Sequence, residues 1–208
     1  MWDENYRTHL GGIGKIMRYN SYRGYSQTPI WAIMIVCFLV FIATLVSQEL
    51  VFLLGLQPAT FLAKPWTIVT NLFVHGGLWH LLANMLTLYF FGRFLIRLTG
   101  TQNFLIIYFL GGILGNILFM LLGSPFSIVI GASGAIFALG GTLTVLTPKL
   151  RVFVFPIPVP LPLWVAIIGG FFIMSLLPHV AWQGHLGGLL LGLIAGFVLR
   201  TRGRRFIY

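Results

Sequence analysis

Gly131-Ala132-Ser133-Gly134-Ala135-Ile136-Phe137-Ala138-Leu139-Gly140-Gly141-Thr142-Leu143 is an apolar run of small residues with a single serine hydroxyl at its mouth. The run continues to about residue 147 and meets its first charge at Lys149. A membrane crossing takes about 20 apolar residues, so this segment is short and must be sheathed by others. A second polar group, His185, opens another apolar run further along. Hydroxyls and imidazoles are costly in hydrocarbon and mark functional sites there. The pair therefore argues for a serine-based catalytic centre held inside a membrane.

Composition supports that solvent. Of 208 residues, 58% are hydrophobic and 8% are charged, against about 25% charged in soluble domains. Thirteen Lys and Arg face three acids, giving a net charge of +10. The bases sit in short patches beside apolar runs, which favours anionic lipid over nucleic acid as the partner. The single cysteine, Cys37, excludes an intrachain disulfide. Neither a metal site nor a cofactor motif is expected.

Six apolar spans are expected: residues 30–47, 80–98, 104–122, 133–147, 161–177 and 184–199. An even count places the bases on one face. Arg7, Lys15, Arg18 and Arg23 precede the first span; Arg93 and Arg97 close the second. Lys149 and Arg151 follow the fourth, and Arg200, Arg202, Arg204 and Arg205 follow the sixth, leaving only Lys64 opposite. That asymmetry makes both termini cytoplasmic. The expected organisation is a basic segment 1–28, a membrane domain 29–200 and a basic tail 201–208. Residues 48–79 read as short interfacial pieces on the outer side, with Trp66 and Trp79 as anchors. The alternating Pro156, Pro158, Pro160 and Pro162 read as a stiff extended connector. The loop 178–183 is expected to cap the site, with His179 a surface side chain.

Gly188, Gly192 and Gly196 recur four apart in the sixth span, and Gly134, Ala138 and Gly141 give the fourth a matching small face. Such faces let backbones approach closely, which would bring Ser133 and His185 together. His80 and Asn84, also four apart, share one face at the outer end of the second span. Four polar groups from three segments thus converge at one level beneath the outer surface.

In these residues the chain resembles the rhomboid intramembrane serine proteases, over essentially all six spans. The matching patterns are His75-x4-His80-x3-Asn84, Gly131-x-Ser133-Gly134, and His185 followed by Gly188 and Gly192. The resemblance implies an all-α, polytopic six-helix bundle with a short central fourth helix, in a prokaryotic cell membrane with its active site toward the outer face. It implies Ser133 as nucleophile, His185 as general base and acid, and His80 and Asn84 with the Ser133 backbone N–H as oxyanion donors. His75 is expected to order the nearby loop or lend a hydrogen bond, and Phe137 to stack on His185 where some members carry tyrosine. Substrates would be membrane-anchored proteins cut in or near a transmembrane segment.

No acid occupies a triad position: Asp3 and Glu4 are cytoplasmic, and Glu49 has no counterpart in the family pattern. A Ser-His dyad follows unless Glu49 bends into the site. The chain also carries Trp66-Thr67 where many members have Trp-Arg, and Gly184 where alanine is frequent. The alternatives are an inactive relative that binds membrane clients and a small transporter. Retention of Ser133, His185, His80 and Asn84 opposes the first. Polar groups gathered at one end, without inverted repeats, oppose the second.

Overall fold

The computed structural model describes residues 26–154, 157–178 and 180–204, with side chains described to residue 201. The basic leader with Arg7, Lys15, Arg18 and Arg23, the acids Asp3 and Glu4, Pro156, His179 and the tail from Arg205 lie outside the described residues, as do the Arg202 and Arg204 side chains.

Apolar runs flanked by breakers dictate the helices. The first, α1 (Thr28–Val46), starts with Pro29 in its first turn, where a missing N–H costs nothing. The chain then lies down in short pieces: α2 (Glu49–Leu54), a 3₁₀ turn at Pro58–Ala63, α3 (Thr67–Thr70) and a 3₁₀ turn at Asn71–Phe73. These correspond to the short pieces expected of residues 48–79. Trp79 is 82% exposed, whereas Trp66 also turns its indole N–H inward to the Leu53 carbonyl at 3.0 Å.

Two long helices follow, α4 (Leu78–Thr99) and α5 (Thr101–Leu122). Gly100 separates them with φ +91°, a conformation that L side chains avoid. Then come α6 (Ser133–Leu146), β1 (Arg151–Val152), β2 (Leu161–Pro162), α7 (Leu163–Ser175) and α8 (Trp182–Arg204). Four of these helices are long and apolar enough to cross a membrane: α1, α4, α5 and most of α8. Two, α6 and α7, are apolar but shorter. The chain is a multi-pass, essentially all-helical membrane protein.

The short α6 is the centre of the bundle. Residues 135–143 are buried without interruption, and the helix packs chiefly on α8 and α5. Glycine makes this approach work. A Cβ on Gly188 would stand 1.9 Å from the Gly134 carbonyl oxygen, and one on Gly192 would stand 2.1 Å from that of Ala138. Thr142 adds a cross-helix bond, its hydroxyl donating to the Gly192 carbonyl at 3.0 Å. Apolar faces of α1, α4 and α5 complete the core through Ile30, Cys37, Leu88, Phe104 and Tyr108.

Three expectations need correction. The proline-rich connector is a hairpin: Arg151 pairs with Pro162 and Val152 with Leu161, antiparallel. Pro162 can close such a ladder and cap a helix but cannot lie inside one. This pairing removes residues 161–162 from the fifth helix, which also stops at Ser175 rather than 177. Finally, the capping loop ends earlier than residue 183, because Trp182 and Gln183 already belong to α8.

Candidate active site

Ser133 is the first residue of α6, and His185 lies in the first turn of α8. The Gly134–Gly188 contact fixes these two helix ends against each other. As a result Ser133 Oγ lies 2.7 Å from His185 Nε2. His185 is 5% exposed and Ser133 is half-buried. Phe137, one turn below Ser133, stacks on the imidazole with ring centroids 4.7 Å apart and planes tilted by 33°. Among the described residues His185 Nδ1 is buried with no hydrogen-bond partner, and the packing of Phe137 orients the ring. Glu49, the one acid among the described residues, is exposed and does not line the site.

Above the pair opens a cavity of ≈ 460 Å³ that takes in Ser133, His185, His80, Asn84, Asn116 and the strip 128–131. Val180 and Ala181 of the last loop and Met174 of α7 also line it, so the cap is built from the short loop between α7 and α8. His80 Nδ1 accepts the Gly76 N–H at 3.4 Å, so a neutral ring carries its proton on Nε2. That nitrogen faces Gly131, where an added Cβ would stand 2.8 Å from it. Gly131 also has φ +114°. Both facts require glycine there.

Asn84 Nδ2 donates to the His80 carbonyl at 2.8 Å. One amide hydrogen is therefore spent on the preceding turn, and the other is left for the cavity. Ser133 N–H, in the first turn of α6, has no acceptor within its own helix. His80, Asn84 and this amide thus border the same space as the serine hydroxyl.

His75 stands to one side, in the loop before α4. Its Nδ1 lies 3.3 Å from the Phe73 carbonyl, its Nε2 is buried without a partner among the described residues, and its ring meets His80 edge-on at 5.1 Å. Burial, and secondarily the neighbouring His80, push its pKa down to about 4. It props His80 and does not reach the serine.

Two residues passed over in the sequence reading belong here. Asn71 and Asn116, 1% and 4% exposed, exchange amide hydrogen bonds at 2.9 and 2.8 Å. An amide in the middle of the apolar run 104–122 was the available signal.

The fold and this site define a helical membrane protein with a hydrogen-bonded Ser–His pair at the head of a glycine-packed helix. The Rhomboid domain signature matches residues 62–202, and the chain belongs to the Rhomboid family. It is similar to RHOMBOID-like protein 1 of Arabidopsis thaliana, 35% identical over 138 residues, covering 66% of this chain and 35% of that protein. Rhomboid protease GluP of Bacillus subtilis is 35% identical over 136 residues, covering 64% of this chain and 26% of its own. Rhomboid-like protease 3 of Toxoplasma gondii is 33% identical over 131 residues, 61% of this chain and 49% of that one. The matched region thus spans between about a quarter and a half of these relatives.

Proposed function

We propose that this protein is an intramembrane serine endopeptidase that cuts membrane-anchored proteins in or near their transmembrane segments. The observation that carries the proposal is the 2.7 Å contact between Ser133 Oγ and His185 Nε2 inside a cavity. In that arrangement Nε2 accepts the hydroxyl proton as Oγ attacks the peptide carbonyl. His185 then passes the proton to the departing amine, leaving an acyl-serine that water hydrolyses by the same steps in reverse roles. His80 Nε2–H, the free Asn84 N–H and the Ser133 N–H surround the space where the oxyanion develops. A donor of this kind is worth about 2.7–4 kcal/mol in a water-poor site.

Six crossings are proposed, with the short α6 sheathed by the other helices. The membrane domain then spans residues 29–200, with segments 1–28 and 201–208 on the cytoplasmic face of a prokaryotic cell membrane. The active site lies toward the outer face, where water enters without crossing hydrocarbon. A transmembrane helix hides its carbonyls in its own hydrogen bonds. Substrates therefore carry Gly, Pro or polar residues that weaken the helix near the cut, and they enter laterally between α4 and α7, past Phe90 and Phe91.

The test is cleavage of a reporter transmembrane protein by purified enzyme in micelles or proteoliposomes. Wild type is expected to cut, and Ser133→Ala and His185→Ala to lose nearly all activity. Cleavage that persists in Ser133→Ala overturns the proposal.

A further inference from the structure

We infer that Asn71 and Asn116 form a positioning pair that holds the Gly131 turn, and through it the oxyanion pocket, against the Ser133–His185 dyad. The inference rests on the hydrolase reading above for its catalytic consequence, but its structural content stands apart from it. Neither residue touches the dyad, so both act through others.

Asn116 sits inside α5, and its Nδ2 donates both to Asn71 Oδ1 at 2.8 Å and to the Ile68 carbonyl at 2.7 Å. Asn71 returns a bond from its own Nδ2 to Asn116 Oδ1 at 2.9 Å. Buried amides in an apolar bundle are costly unless they are satisfied, and here each carbonyl oxygen has a donor. The main chain of Asn71 extends the clasp, because its carbonyl accepts the Gly131 N–H at 2.9 Å. Gly131 is the residue that faces His80 Nε2 and precedes Ala132 and Ser133.

The same turn of α5 holds the other half of the dyad. A Cβ on Gly115 would stand 2.4 Å from the Gly184 carbonyl oxygen, so α5 touches the start of α8 beside His185. Adjacent residues of one helix thus set the histidine by backbone contact and the serine turn by amide exchange. A short antiparallel bridge between Leu56 and Val129 supports the strip from its far end. It does not replace the clasp at Gly131.

The experiment compares wild type, Asn71→Ala, Asn116→Ala, the double variant and Ser133→Ala in two assays. Hydrogen exchange by mass spectrometry reads the backbone of residues 128–133 without any need for activity. Exchange there is expected to rise about tenfold or more in each asparagine variant and to stay at the wild-type level in Ser133→Ala. Reporter cleavage, normalised to the serine that a fluorophosphonate labels at completion, is expected to lose about tenfold to a hundredfold in kcat with KM unchanged. The double variant should lose no more than the worse single one, because paired residues act as a unit. Unchanged exchange in residues 128–133 overturns the positioning role whatever the activity. So does a double loss equal to the product of the singles. If an alanine variant does not fold, Asn116→Ser and Asn71→Ser enter the same two assays with the same criteria. Wild type that neither labels nor cleaves refutes the hydrolase reading, and the exchange result then still decides the clasp.

Discussion

Replacing Gly188 by alanine adds one methyl group where the two catalytic helices cross. That methyl would begin 1.9 Å from the Gly134 carbonyl oxygen and 2.7 Å from its carbon. Both obstacles are backbone, so no side chain can rotate away. Restoring the 3.4 Å of ordinary contact requires α6 and α8 to part by about 1.5 Å. Overpacking of this kind costs about 1–3 kcal/mol of stability. The catalytic cost is larger, because the parting acts directly on the 2.7 Å Ser133–His185 contact. A misplacement of about 1 Å can cost about a hundredfold in rate, so Gly188→Ala is expected to lose at least that factor in turnover. Reporter cleavage and thermal unfolding in micelles, measured on the same preparations, separate the two effects. Gly169→Ala in α7 is the control, because a Cβ there meets nothing within 4 Å. It should keep the wild-type rate. If Gly188→Ala cleaves as fast as Gly169→Ala, the tight crossing does not set the dyad and the reasoning fails.

Gly131→Ala combines a positive φ with a methyl 2.8 Å from His80 Nε2; turnover and thermal midpoint should both fall, the strain alone costing about 1–3 kcal/mol. Wild-type turnover in that variant would remove His80 from the oxyanion pocket. His75 has a folded pKa of about 4 against an ordinary 6.5, so its unfolded form takes up a proton first as pH falls. Its contribution is therefore complete above pH 6.5 and lost progressively toward pH 4, by about 3 kcal/mol. His75→Gln should flatten that slope in thermal unfolding, and an unaltered slope would show that His75 is not its source. Glu49→Gln should cleave at the wild-type rate, since Glu49 is exposed and off the cavity; a large loss would mean that the dyad has a carboxylate partner.

Much of the site was legible because hydrocarbon makes polar residues conspicuous. Ser133, His185, His80 and Asn84 stood out against apolar runs, and helical spacing put the last two on one face. The small-residue stripes gave the α6–α8 crossing and hence the meeting of Ser133 with His185. Phe137 was expected on His185 and is found stacked there. What stayed hidden depends on partners distant in sequence. Asn116 is conspicuous in its apolar run, but its role is hidden because its partner Asn71, 45 residues away, is an ordinary amide until folding brings the two together. The β1–β2 hairpin was invisible because prolines forbid helix without choosing between a straight and a doubled-back chain. The fifth helix was overdrawn because hydropathy does not register that Leu161 is paired in a ladder.

The central claim is that His185 makes the Ser133 hydroxyl a nucleophile. Its most direct measurement is mass spectrometry of the purified protein after exposure to a fluorophosphonate. The account predicts a covalent phosphonyl adduct on Ser133 of the wild type and almost none on the His185→Ala protein. An unmodified Ser133 in the wild type, or equal modification without His185, would contradict it.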